Sequence, residues 1–172
     1  RILAEMAKAE ETPAQSPWWL TLLRLLMAAL IIVALAEPIW NAQDSRMTGQ
    51  GPLLIIMDDG WTSGPDWQQR QTTARNLLAQ ARDQERPVAL ALTNLGGKAD
   101  LATQRPEQVE ARLKAASPQP LPVDLTGLAK RLAESPVAFT GIAWLSNGLD
   151  QPGSEQLRRA IDQIEPQQMQ YY

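Results

Sequence analysis

The sequence predicts an α/β protein: a transmembrane helix followed by a doubly wound, mostly parallel sheet. Three observations predict it. A long apolar run, Trp18–Ala36, is interrupted only by Thr21 and Arg24. Short apolar runs, Leu53–Met57, Val88–Leu92 and Val137–Leu145, alternate with stretches whose apolar residues recur at helical spacing. Each short run stops in a polar turn, as strands of a parallel sheet covered on both faces do.

At 172 residues the chain can hold one domain with a proper core and one extra element. Its net charge is −3, and Lys and Arg are scattered instead of striped, so no nucleic acid partner is expected. There is no Cys, hence no disulfide or thiolate chemistry, and no His, which removes the commonest general base and most transition-metal sites. Any chemistry would fall to carboxylates, hydroxyls, Lys or a hard cation.

Residues 1–17 read as a polar loop with a helical start (Ile2, Leu3 and Met6 on one face), broken by Pro13 and Pro17. Opening on Arg1 instead of Met is expected of a segment from within a longer protein. Trp18–Ala36 is nineteen residues, ~28 Å as a helix and close to the hydrocarbon thickness of a bilayer. Trp18 and Trp19 at one end and Trp40 beyond the other sit where interfacial aromatics belong, so residues 18–40 are assigned to the span. Arg24, in the second turn, can snorkel to the near interface. A buried core helix is the alternative; a signal peptide fits less well, because seventeen mixed residues precede the run. Arg1, Lys8 and Arg24 against Arg46 tilt the N-terminal side towards the cytoplasm.

Residues 41–52 read as a linker, and residues 53–172 as the α/β domain, incomplete at its C-terminus. Leu53–Met57 is its first strand. Asp66–Arg82 is helical, with Trp67, Ala74, Leu78 and Ala81 on one face, and Pro87 stops it. Val88–Leu92 is the second strand, and Ala99–Ala102 a short edge strand. Pro106–Ala116 is a helix opened by Pro, and Ser117–Pro122 is a loop. Asp124 caps a helix carrying Leu125, Leu128, Ala129 and Leu132. Val137–Leu145 is a strand, Ser154 caps a further helix, and Gln167–Tyr172 begins another strand.

The first strand runs directly into Asp58 and Asp59, at the strand end where ligand sites of such sheets lie. A receiver-type site needs an Asp at the end of a later strand, but Thr93-Asn94 and Ser146-Asn147 stand there. A haloacid-dehalogenase-type site needs an acid at Met57. Gly96-Gly97-Lys98 lacks the spacing of a phosphate loop and reads as a turn.

The remaining pattern resembles the metal-ion-dependent adhesion site of von Willebrand factor A-like domains. Asp58 matches its first Asp, Gly60 and Thr62 fall at its two Ser positions, Thr126 resembles its loop Thr, and Asn147 stands where its second Asp would be. A candidate divalent-cation site, Mg²⁺ or similar, is thus Asp58, Thr62 and Thr126, and it is degenerate: a hard cation prefers anionic oxygens, and few are offered. The competing reading is structural, with Asp58 and Asp59 accepting backbone N–H groups. No other cofactor is expected. Trp61 is a candidate partner anchor, with Asp59, Ser63 and Asn147 beside it, on a contact face built from residues 58–63, 93–97, 126 and 146–150.

The stretches TPAQSPWWLTLLRLLMAALIIVALAEPIWN and GPLLIIMDDGWTSGPDWQQR resemble bacterial membrane proteins of the BatA aerotolerance-regulator type, in the branch with a von Willebrand A-like domain and a C-terminal domain of unknown function. The resemblance implies a membrane helix upstream of Arg1 and a cytoplasmic loop at residues 1–17. It places the A-like domain in the periplasm on the inner membrane, and implies partners such as MoxR-type AAA+ ATPases and other A-domain membrane proteins. The expected function is a non-enzymatic protein-interaction module of an envelope or stress-tolerance complex. The alternatives are a Mg²⁺-dependent membrane enzyme using Asp58 or Asp59, and a scaffold for an absent C-terminal domain.

Overall fold

Five consecutive apolar residues make β1, Leu53–Met57, and every one of them is buried. Only a central strand with helices on both faces buries both sides of such a run. In the computed structural model, which describes residues 17–35, 47 and 49–172, β1 is that strand. After it come α2 (Trp67–Asp83), β2 (Val88–Leu92), α3 (Pro106–Ala115), α4 (Leu125–Ala133), β3 (Gly141–Leu145), α5 (Ser154–Ile164) and β4 (Gln168–Tyr171); α1 (Trp18–Leu35) precedes it. The sheet order is β2-β1-β3-β4, and every pairing is parallel.

The strand alternation sorts the core into two layers. Leu54, Ile56, Ile142 and Trp144 face α4 and α5, packing with Leu125, Leu128, Leu132, Leu157 and Ile161. Leu53, Ile55, Met57 and Leu145 face α2 and α3, packing with Leu77, Leu78, Val109 and Leu113. Each fully buried Leu or Ile contributes about 1.5–3 kcal/mol relative to exposure. The expected doubly wound α/β arrangement is therefore present as an all-parallel four-stranded sheet.

The chain divides into two compact units, Arg1–Gln43 and Asp44–Tyr172. In the first, α1 exposes Trp18, Trp19, Leu22, Leu23, Leu25, Leu26, Met27, Leu30, Ile31 and Ile32, which point around the whole helix. Of the span expected over residues 18–40, the described part is α1, and residues 36–40 lie outside the described residues. Among the described residues no helix is long and apolar enough to cross a membrane. α1 has 18 residues, about 27 Å against a hydrocarbon core of about 30 Å, and Arg24 interrupts its apolar surface. The helical start expected within residues 1–17, and Trp40, lie outside the described residues.

Four local expectations are corrected. Ala99–Ala102 forms no strand: Ala99 and Leu101 are buried, but the ladder here is a single antiparallel bridge between Val88 and Gln104. β3 starts at Gly141, not Val137, because Val137 and Phe139 pack into the core from irregular backbone. Gly153, with φ of 96°, caps α5, and Ser154 is its first residue. The segment read as a linker supplies Met47 to the core.

That last contact depends on Arg86. It is 3 % exposed, and its guanidinium donates to the carbonyls of Met47 (2.9 Å) and Gly51 (2.9 Å) and to Thr140 Oγ1 (3.3 Å). Burial alone pushes its pKa down. Arg86 thus ties the approach to β1 against the start of β3. Arg86→Met is expected to lower stability by about 2–4 kcal/mol, since it leaves the two carbonyls without donors. Urea unfolding of the full chain in detergent checks this: the midpoint falls while the slope holds. Arg82→Ala, which breaks only exposed ion pairs to Glu107 and Glu110, leaves the midpoint almost unmoved.

Candidate functional site

The chain leaves β1 for β2 on one side and returns to β3 on the other, so the crevice of this sheet opens at the carboxyl ends of β1 and β3. Asp58 and Asp59 emerge there, and they turn in opposite directions. Asp58 leans to β3: Oδ1 accepts from Trp144 Nε1 (3.3 Å) and Oδ2 from the Asn147 backbone N–H (3.2 Å). Asp59 leans to β2: Oδ1 accepts from the Asn94 backbone N–H (2.9 Å) and from Thr93 Oγ1 (3.4 Å). Its carbonyl also accepts the Gln119 N–H at 2.7 Å. Each acid fixes the loop that follows a neighbouring strand.

Both carboxylates are 1 % exposed. Burial pushes both pKa values above the ordinary carboxylate range, and the hydrogen bonds from Trp144 and Asn147, and from Asn94, offset this only in part. Arg70, buried on the first turn of α2, adds a positive charge. Its Nη1 donates to the Asp58 carbonyl (3.0 Å) and to Ser63 Oγ (3.3 Å), and its Nη2 to the Ser63 carbonyl. Its Nε has no partner.

Of the residues of the candidate cation set, Asp58 and Thr62 share Asn147 as a hydrogen-bond partner, whereas the neighbour seen for Thr126 is Gly153. Thr62 Oγ1 accepts from Asn147 Nδ2 at 2.6 Å. The Asn147 amide cannot turn its oxygen to Thr62 without loss, because Oδ1 already accepts from the Leu149 N–H and from Gln151 Nε2, both at 3.0 Å. An amide N–H therefore points at the hydroxyl that a cation would need, and N–H groups occupy both oxygens of Asp58. Thr126 lies beside Gly153: a Cβ there would meet the Thr126 nitrogen and Oγ1, each at 2.7 Å. Among the described residues no group of three or more acids could hold a metal ion.

The structure also shows why Gly stands at residue 60, where the adhesion-site pattern has Ser. A Cβ at Gly60 would lie 2.7 Å from Val123 Cγ1 and 3.1 Å from the Leu121 carbonyl. The loop before α4 closes onto this position and leaves no room for a side chain.

The residues expected to form a contact face separate by burial. Asp59 and Ser63 are buried and can touch no partner, and Asn147 is half-buried. Trp61 is 71 % exposed, with its N–H held by the Leu121 carbonyl (3.1 Å). Leu95, Leu121 and Leu149, each on another loop of the same end, are exposed as well. Leu95 and Leu149 fall within the contact face expected from sequence, but Leu121 was missed, as were Trp144 and Arg70 as partners of Asp58. The available signal was a Trp inside an apolar strand, whose indole N–H needs an acceptor when buried.

Because burial raises both carboxyls, the folded domain holds their protons more tightly than the unfolded chain does. Their contribution to stability is complete below the unfolded value of 3.8 and is lost as pH rises through the raised folded values. Unfolding free energy measured across the acid range is expected to show this fall in the wild type and a shallower one in Asp58→Asn and in Asp59→Asn; identical slopes in all three would refute it. Gly60→Ser is expected to cost about 1–3 kcal/mol through overpacking, and calorimetric titration with Mg²⁺ should show no binding gained.

Comparison with known proteins adds one match. Residues 1–38 fit the family model described as the N-terminal region of the BatA aerotolerance regulators. No curated protein matches the chain. The matched segment holds the polar N-terminus and α1, and the sheet lies beyond it. In that segment the chain is similar to the N-terminal region of the BatA aerotolerance regulators.

Proposed function

We propose that this chain is a membrane-attached, von Willebrand A-like module that binds another protein through the rim at the carboxyl end of its sheet, with neither a metal ion nor catalysis. The observation that carries the reading is Trp61, a large aromatic side chain 71 % exposed on a loop whose backbone is held in place. Trp on a fixed backbone is a common energetic anchor of interfaces, because little freedom is lost on binding. The acids beneath it are committed to N–H donors, which supports a structural part for them over a nucleophilic or metal-binding one. The family match supports an aerotolerance-type setting at a membrane; the sheet domain is assigned to the periplasmic side of the bacterial inner membrane from the charges flanking α1. Other A-domain membrane proteins and complexes with MoxR-type ATPases are the partner classes this reading favours.

Attachment is assigned to α1. Its apolar residues surround the helix, whereas a helix lying on a membrane surface has a charged face. The wild-type chain is then expected to stay in the membrane pellet at high pH, and a Leu26→Arg/Ile31→Arg variant to be released; release of the wild type would remove the anchor.

The interaction is tested by purifying the full chain from the membranes of its own cells after cross-linking. Trp61→Ala should abolish the cross-linked species while leaving the unfolding midpoint unchanged, and EDTA should have no effect. Cross-linking that survives Trp61→Ala, or that needs a divalent cation and Asp58, would overturn the proposal.

A further inference from the structure

The rim is one continuous surface. The Trp61 N–H bonds to the Leu121 carbonyl (3.1 Å), the Asp124 N–H to the Thr93 carbonyl (2.8 Å), and Asn147 Nδ2 to Thr62 (2.6 Å). These contacts lace together the loops after β1, β2 and β3 and the loop before α4. Trp61, Leu95, Leu121 and Leu149 therefore stand on a common base, one apolar side chain from each loop. The exposed charges on the same loops are unbalanced: Asp66, Asp124 and Asp150 carry carboxylates, and Lys98 the opposing ammonium. Two further acids, Asp58 and Asp59, lie buried below, with Arg70 as the neighbouring cation.

Resting on the interaction reading above, we propose that the occupant of this rim is a cationic amphipathic segment of a partner protein, with apolar side chains on Trp61 and the three leucines and Lys or Arg facing Asp66, Asp124 and Asp150. An acidic segment would set like charge against like, which costs affinity and slows encounter. A wholly apolar one would desolvate the Asp66 and Asp150 carboxylates without supplying them partners; Asp124 keeps the N–H groups of Gly127 and Gly97. The positively charged, half-apolar segment satisfies both halves of the surface.

The probes are a Leu/Lys amphipathic helical peptide and its Leu/Glu counterpart, each titrated by fluorescence anisotropy against the full chain in nanodiscs of neutral lipid, with empty nanodiscs subtracted. The Leu/Lys peptide is expected to bind at least about tenfold tighter than the Leu/Glu peptide. Trp61→Ala should weaken it about tenfold or more. Asp66→Asn/Asp150→Asn should weaken it several-fold and flatten its salt dependence. Equal binding of both peptides, lost in Trp61→Ala, would overturn the charge preference while leaving the rim as an interaction surface. Leu/Lys binding indifferent to Trp61→Ala would overturn the cationic segment altogether, and the cross-linking experiment then decides the interaction reading by itself.

Discussion

The structure depends on two adjacent carboxylates that leave the central strand and turn apart. β1 has a neighbour on each side, and the chain must bring three separate loops to one end of the sheet. Asp58 binds the loop after β3 and Asp59 the loop after β2. Backbone N–H groups in those loops lack ladder partners, and buried donors left unmet cost about 1–3 kcal/mol each. One dipeptide therefore meets the needs of two loops.

The arrangement has an electrostatic cost that decides what the crevice can do. Burial raises both carboxyls, so the fold disfavours the charged forms that a cation would require. Arg70 compensates in part from α2, bonded to the Asp58 carbonyl and to Ser63. Internal donors thus occupy both carboxylate oxygens of Asp58 and Oδ1 of Asp59, and the exposed side chains of this end are those on the rim.

Much of the fold was legible because apolar runs report burial, and in a parallel sheet burial and strand coincide. β1 and β2 match their runs residue for residue. Where burial and pairing part company, the reading failed. Val137, Phe139, Ala99 and Leu101 are core residues on irregular backbone, and nothing in their apolar character separates them from strand. The helix start at Ser154 turned on Gly153, whose φ of 96° is a backbone property that the neighbouring Ser masked.

Of the site, Asp58, Asp59, Trp61 and Asn147 could be singled out from local pattern, but their roles could not, because each role is fixed by a residue far along the chain. The Asp58 bond to Trp144 follows from the β1–β3 register, which sets Ile56 opposite Trp144 and Met57 opposite Leu145. The Gly at residue 60 follows from Leu121 and Val123 closing over it. These two facts are one constraint seen from two sides. A loop pressed onto Gly60 removes the side chain that could have supplied a hydroxyl ligand, and the same loop lifts Leu121 beside Trp61. The packing that excludes a side chain at residue 60 is thus also what sets Leu121 on the rim beside Trp61.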